Sequence, residues 1–150
     1  MKTNIKLIIF LTFSVILFGC GQDPQPIEYG VDNCSYCMMQ ITDNKYATEL
    51  ITKKGKCFKF DAVECLVQHL LENDSEENKE AALWINDFSE PAQFISARDA
   101  FYLQNEKFHS PMGFNVLACG DHSKLIKIKD EHGGVEYNWS SLVELVKKMQ

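Results

Sequence analysis

From Leu7 to Phe18 runs a mostly apolar stretch of 12 residues, preceded by Lys2 and Lys6 and followed by Gly19-Cys20. A helix that spans a bilayer needs about 20 apolar residues, so this stretch is too short to be one. A basic start, a short apolar run and a small residue before a break make a secretory signal instead. The folded part must therefore be built from the residues after Gly19, outside the cytoplasm. Nineteen residues removed from 150 leave 131. That is one ordinary domain, large enough to bury a core. Without Lys2 and Lys6, 13 basic residues face 21 acidic ones, a formal charge of −8. Such a surface excludes nucleic acid as a partner, because that binding rests on neutralising phosphates.

Leu17-Phe18-Gly19-Cys20 resembles the lipobox of bacterial lipoproteins, in which the Cys is acylated and becomes the first mature residue. The resemblance implies a signal over residues 1–19 and a lipid on Cys20 that holds the chain on the cell membrane or outer membrane. Two or more acyl chains anchor stably where one alone is marginal. Residues 20–30 carry Pro24 and Pro26 without periodicity and read as a lipidated tether. Residues 31–150 form the domain.

Within the domain, Tyr46 to Thr52 and Cys57 to Phe60 predict two strands around the turn Lys53-Lys54-Gly55-Lys56. Asp61 with Glu64 three residues on predicts a capped helix start, continuing through Cys65 and Leu70. Glu72 to Glu80, with five acids in nine residues, reads as a solvated loop. A strand follows at Ala82 to Ile85. Later come a broken strand over Phe94 to Leu103, a strand at Asn115 to Ala118 and a helix over Asp121 to His132. The alternation Leu125-Ile126-Lys127-Ile128 competes with that helix. Val135 to Trp139 reads as a strand, and Ser141 to Met149 as a closing helix with Ser141 and Glu144 placed for a capping box. The class is α+β, in two related halves.

Beyond Cys20, five cysteines remain, Cys34, Cys37, Cys57, Cys65 and Cys119. An even set outside the cytoplasm would suggest a disulfide framework, whereas an odd set leaves thiols for other work. Cys34-x-x-Cys37-Met38-Met39 is the most informative stretch. Thiolate and thioether sulfurs are soft donors that suit copper(I), zinc or iron–sulfur clusters. Adjacent methionines shift the balance from zinc, which takes Cys, His and carboxylate. Two other readings stay open: a thiol–disulfide oxidoreductase using Cys34 and Cys37, and a non-catalytic structural lipoprotein with a plain bridge. A second candidate is His109-Ser110-Pro111-Met112-Gly113, where Pro111 and Gly113 constrain a loop that presents Met112. Cys65 reads as a small hydrophobe on the apolar side of its helix.

Taken in order, Cys34-x-x-Cys37-Met38-Met39, Lys54-Gly55-Lys56 leading to Phe58-Lys59-Phe60-Asp61, Phe101-Tyr102 and Ser110-Pro111-Met112-Gly113 resemble the NosL family. Its members are copper(I)-binding lipoproteins linked to metal-centre assembly of nitrous oxide reductase. The resemblance covers essentially the mature domain. It implies an α+β fold of ββαβ-like halves, similar to organomercurial lyase, and a non-enzymatic copper chaperone. It further implies a Cu(I) site from Cys37, Met39 and Met112, with Cys34 beside them. The family carries Cys-Gly-Met where this chain has Cys37-Met38-Met39, so Met39 matches its Met and Met38 replaces its Gly.

Overall fold

The computed structural model describes residues 21–148, so the expected signal, Cys20 and Met149 lie outside the described residues. Strands β1 (Thr48–Ile51) and β2 (Cys57–Phe60) form the expected hairpin, with Gly55 at φ +79 in its turn. Helices α1 (Val63–Glu72) and α2 (Glu76–Lys79) follow, then strands β3 (Ala82–Asp87) and β4 (Glu90–Ser96). The second half holds β5 (Phe101–Gln104), β6 (Val116–Cys119), α3 (His122–His132), β7 (Val135–Tyr137) and α4 (Trp139–Lys147). The first sheet has the order β2-β1-β3-β4 and the second β6-β5-β7. Every pairing is antiparallel. In each half the first strand lies between the second and the strand after the helix. This is one ββαβ topology used twice, with β4 and α4 added, and the fold is α+β.

Several local expectations are corrected. The cap of α1 is Ala62, which makes no side-chain bond, and Asp61 is buried one residue earlier. The charged segment is not all loop: Ser75 accepts the Asn78 N–H and caps α2. Asp121 caps α3, so the alternation at Leu125 to Ile128 is the inner stripe of a helix, not a strand. The capping box of α4 pairs Asn138 with Ser141, not Ser141 with Glu144, so the helix starts earlier and shortens β7.

Period-two alternation divides the core. Tyr102, Val116 and Ala118 face the main core with Leu50, Phe60, Leu66 and Leu142, while Leu103, Leu117 and Cys119 face a smaller one with Leu125 and Phe108. Cys119 is thus a buried hydrophobe under α3, and burial pushes its thiol up to about 12.

The N-terminal segment has no regular structure, yet it is bonded along the outer face of the first sheet. The Gln22 Nε2 donates to the Ile51 and Glu80 carbonyls at 2.9 and 3.0 Å, and Trp84 Nε1 donates to the Gln22 carbonyl at 2.8 Å. Gln25 N–H donates to Glu49 Oε2 at 2.9 Å, and Lys59 Nζ to the Pro26 carbonyl at 2.7 Å. These bonds cover the fully buried Glu49 on the central strand β1.

Candidate metal centre

The stretch Cys34 to Met39 is a tight turn. Met38 N–H donates to the Cys34 carbonyl at 3.0 Å and Cys34 N–H to the Met39 carbonyl at 2.8 Å. Closing it requires a left-handed backbone at Met38, with φ +64. A side chain there costs roughly 1–2 kcal/mol, which is the physical reason for the glycine at this position in the family pattern. Ser35 N–H donates to the Lys59 carbonyl at 2.7 Å. That bond sets the turn beside the end of β2, where the chain passes into α1.

Cys65 lies in the first turn of α1, and this is what the turn faces. The sulfurs of Cys34, Cys37 and Cys65 all lie within 4.8 Å of one another. All three are free thiols. Cys34 and Cys65 are buried, and Cys37 is half-buried. Two elements supply the three: the turn before β1 carries Cys34 and Cys37, and α1 carries Cys65.

Charge in this cluster is concentrated on Cys34. The thiol of Cys65 donates to it, and backbone N–H groups of Asp61, Cys37 and Tyr36 point at it, the Cys37 N–H at 3.5 Å. Together they outweigh burial and hold Cys34 down to about 5. The same bond to Cys34 pushes the Cys65 thiol far up, with burial adding to it. Burial also raises Cys37. The cluster therefore holds one thiolate cradled by thiols and amides.

Two carboxyls lie against the same helix start. Burial, and then the charge of Cys34, pushes Asp61 up to about 6. Burial pushes Glu64 up to about 7 against the pull of the Phe114 N–H and the Ser110 hydroxyl. One oxygen of each, Asp61 Oδ1 and Glu64 Oε2, is buried without a hydrogen-bond partner.

The second expected segment docks on this helix start. Ser110 Oγ donates to Glu64 Oε1 at 3.3 Å and accepts the Asn115 N–H at 2.8 Å. Gly113 N–H closes a turn onto the Ser110 carbonyl at 2.9 Å, with Pro111 and Met112 at its centre and Gly113 at φ +77. Pro at the second and Gly at the fourth position suit such a turn. Met112 at its tip is 40 % exposed and Met39 is 45 % exposed.

The structure thus brings Cys34 and Cys37 together, and places Met39 and Met112 at the rims of the two segments that converge on α1. It adds Cys65, which is buried in the main core as expected and whose sulfur also lies with those of Cys34 and Cys37. The odd thiol count was the available signal. His109 is exposed and outside the thiol group. Cys57 stands apart, and burial, followed by the charge of Glu49, pushes it up to about 12. Three soft sulfurs at this spacing, without a His or a fourth Cys, suit a soft monovalent cation better than tetrahedral structural zinc.

The sequence model of the NosL family matches residues 27–145. Among solved structures, the chain is similar to the copper chaperone NosL from Shewanella denitrificans, with a TM-score of 0.67. The two are 24 % identical over 80 % of this chain and 95 % of that one, a likeness of fold. No curated protein matches the chain.

Proposed function

The chain belongs to the NosL family, and on that premise we propose that it is a lipid-anchored, extracytoplasmic carrier of Cu(I), without catalytic turnover, that supplies copper for assembly of nitrous oxide reductase. The observation that carries this reading is the gathering of the Cys34, Cys37 and Cys65 sulfurs within 4.8 Å. Copper(I) is the cargo. Cys34, already charged, would be the first donor, and Cys37 and Cys65 would join by losing protons to solvent. Met39 and Met112 would complete the shell from the exposed side with neutral thioethers, which a soft cation accepts.

A thiol–disulfide oxidoreductase is favoured less. In such an enzyme the thiol with the lowered pKa is accessible to substrate. Here the lowered thiol, Cys34, is 0 % exposed, while the accessible Cys37 is raised. Reducing the protein and titrating it with Cu(I) against a chelator, then with Zn(II), tests the proposal. One tightly held Cu(I) with weak zinc binding is expected. Tight zinc with weak copper would overturn it.

A further inference from the structure

The short reach between the lipid position and the first pinned residue restricts how the domain sits on a membrane. Cys20 precedes Gln22 by two peptide units, a span of at most about 7 Å when fully extended. Gln22 is not free. Its side chain bonds the Ile51 and Glu80 carbonyls and its own carbonyl receives the Trp84 indole N–H. Ile51 is the end of β1 that leads into the Lys53–Lys56 turn, and Glu80 closes α2. The segment then runs past Glu49 and Lys59 to the other end of the hairpin, where Cys34 meets Asp61.

We infer that the end of the domain formed by the Lys53–Lys56 turn and α2 is its bilayer-facing surface, and that the thiol cluster is held on the far side. This rests on lipidation of Cys20 as proposed above. From Ile51 back to Thr48 the strand covers about 10 Å. Helix α1 runs the opposite way, and from Cys65 to Glu72 it covers about 10 Å as well. Both distances separate the thiols from the pinned end. A free tether of ten residues would let the domain tumble; two peptide units and the three bonds at Gln22 do not. The charge pattern fits a headgroup surface. Lys53, Lys54 and Lys79 are paired with Glu80, Glu77, Asp74 and Glu76 at this end. With Lys56 in the same turn and Glu72 at the end of α1, four lysines meet five carboxylates, so most of the protein's excess acid lies elsewhere and is turned from anionic lipid.

The test uses the full lipidated protein in vesicles of phosphatidylethanolamine and phosphatidylglycerol. A photoreactive benzoylphenylalanine replaces either Lys54, at the pinned end, or Lys45, an exposed residue just before β1 at the thiol end. Irradiation should give several-fold more lipid adduct from position 54 than from position 45. A ten-residue Gly-Ser insertion between Gly21 and Gln22 should bring the two yields together. Equal yields without the insertion would overturn the orientation while leaving the anchor intact. Failure of the protein to float with vesicles would overturn the anchor itself, and the orientation with it.

Discussion

The hydroxyl of Ser110 reaches the carboxyl of Glu64 across 3.3 Å and joins two segments 46 residues apart. Through it, the loop that carries Met112 is fastened one residue from Cys65. Ser110→Ala should leave the buried Glu64 with less hydrogen bonding, at a cost of about 1–3 kcal/mol. It should also lower Cu(I) affinity by freeing the loop. Denaturant unfolding and a chelator titration measure the two effects separately. Full affinity in a destabilised variant would show that the loop's anchorage is irrelevant to copper.

Met112 is 40 % exposed, so its removal should not disturb the core. If it donates its thioether, Met112→Ala should lower Cu(I) affinity at least about 10-fold, since loss of even an outer-sphere partner typically costs that much. X-ray absorption should then count fewer sulfur neighbours. An unchanged count would remove Met112 from the shell.

Cys65→Ser distinguishes a ligand from a hydrogen-bond partner. As a ligand, its loss should weaken Cu(I) at least as much as the Met112 variant does. The wild-type affinity should also fall with falling pH, because Cys37 and Cys65 are both raised and must release protons on binding. The slope of log affinity against pH should approach about two at neutral pH and drop by about one in Cys65→Ser. An unaltered slope would leave Cys65 as a donor to Cys34 only.

Asp61 and Glu64 set a pH trend for the copper-free protein. Both are raised by burial, to about 6 and about 7, above their ordinary values of 3.8 and 4.5. Between pH 4 and 7 each of these two carboxyls is therefore more protonated in the folded state than in the unfolded one, so by themselves they make stability fall as pH rises through that window. Exposed carboxyls such as Glu136 and Asp121 are lowered and act in the opposite sense at the acid end, and Cys34, held down to about 5, acts in the opposite sense from about pH 5 upward. Glu64→Gln should flatten the decline seen in denaturant midpoints, while keeping an oxygen for Ser110. The same pH dependence of the midpoint in wild type and Glu64→Gln would refute the assignment.

Met38 tests the turn. Its φ of +64 suits glycine, so Met38→Gly should remove about 1 kcal/mol of strain while adding a similar unfolded-state entropy. Stability should change by less than about 1 kcal/mol, with Cu(I) affinity unaltered. Loss of affinity would mean that Met38, and not Met39, supplies the thioether.

Local chemistry was the legible part of the chain. Lys53-Lys54-Gly55-Lys56 announced the hairpin, and the spacing of Cys34 and Cys37 announced the thiol turn, because each depends on residues a few positions apart. The partnership of Cys34 with Cys65 was hidden, since it arises only when β2 delivers α1 beside the turn. Asp61 misled for a related reason: in sequence it has a cap's signature, but it is drawn inward beside the Cys34 thiolate. The segment from Gln22 to Pro26 lacked periodicity because its bonds run from its own amides and side chains to a sheet surface. Such pairing leaves no repeat to read.

If copper binds as proposed, the layering of the sulfurs sets an order of departure. Met39 and Met112 stand at the solvent edge, Cys37 is half-covered, and Cys34 and Cys65 lie beneath. An acceptor protein would meet neutral thioethers first and could replace them one at a time without moving a proton. The inner thiols let go last, and Cys37 and Cys65 must be reprotonated as they do. On the proposed ligand set, release would be gated by proton supply at the buried end, and the ion would pass from donor to acceptor by ligand exchange rather than as a hydrated species.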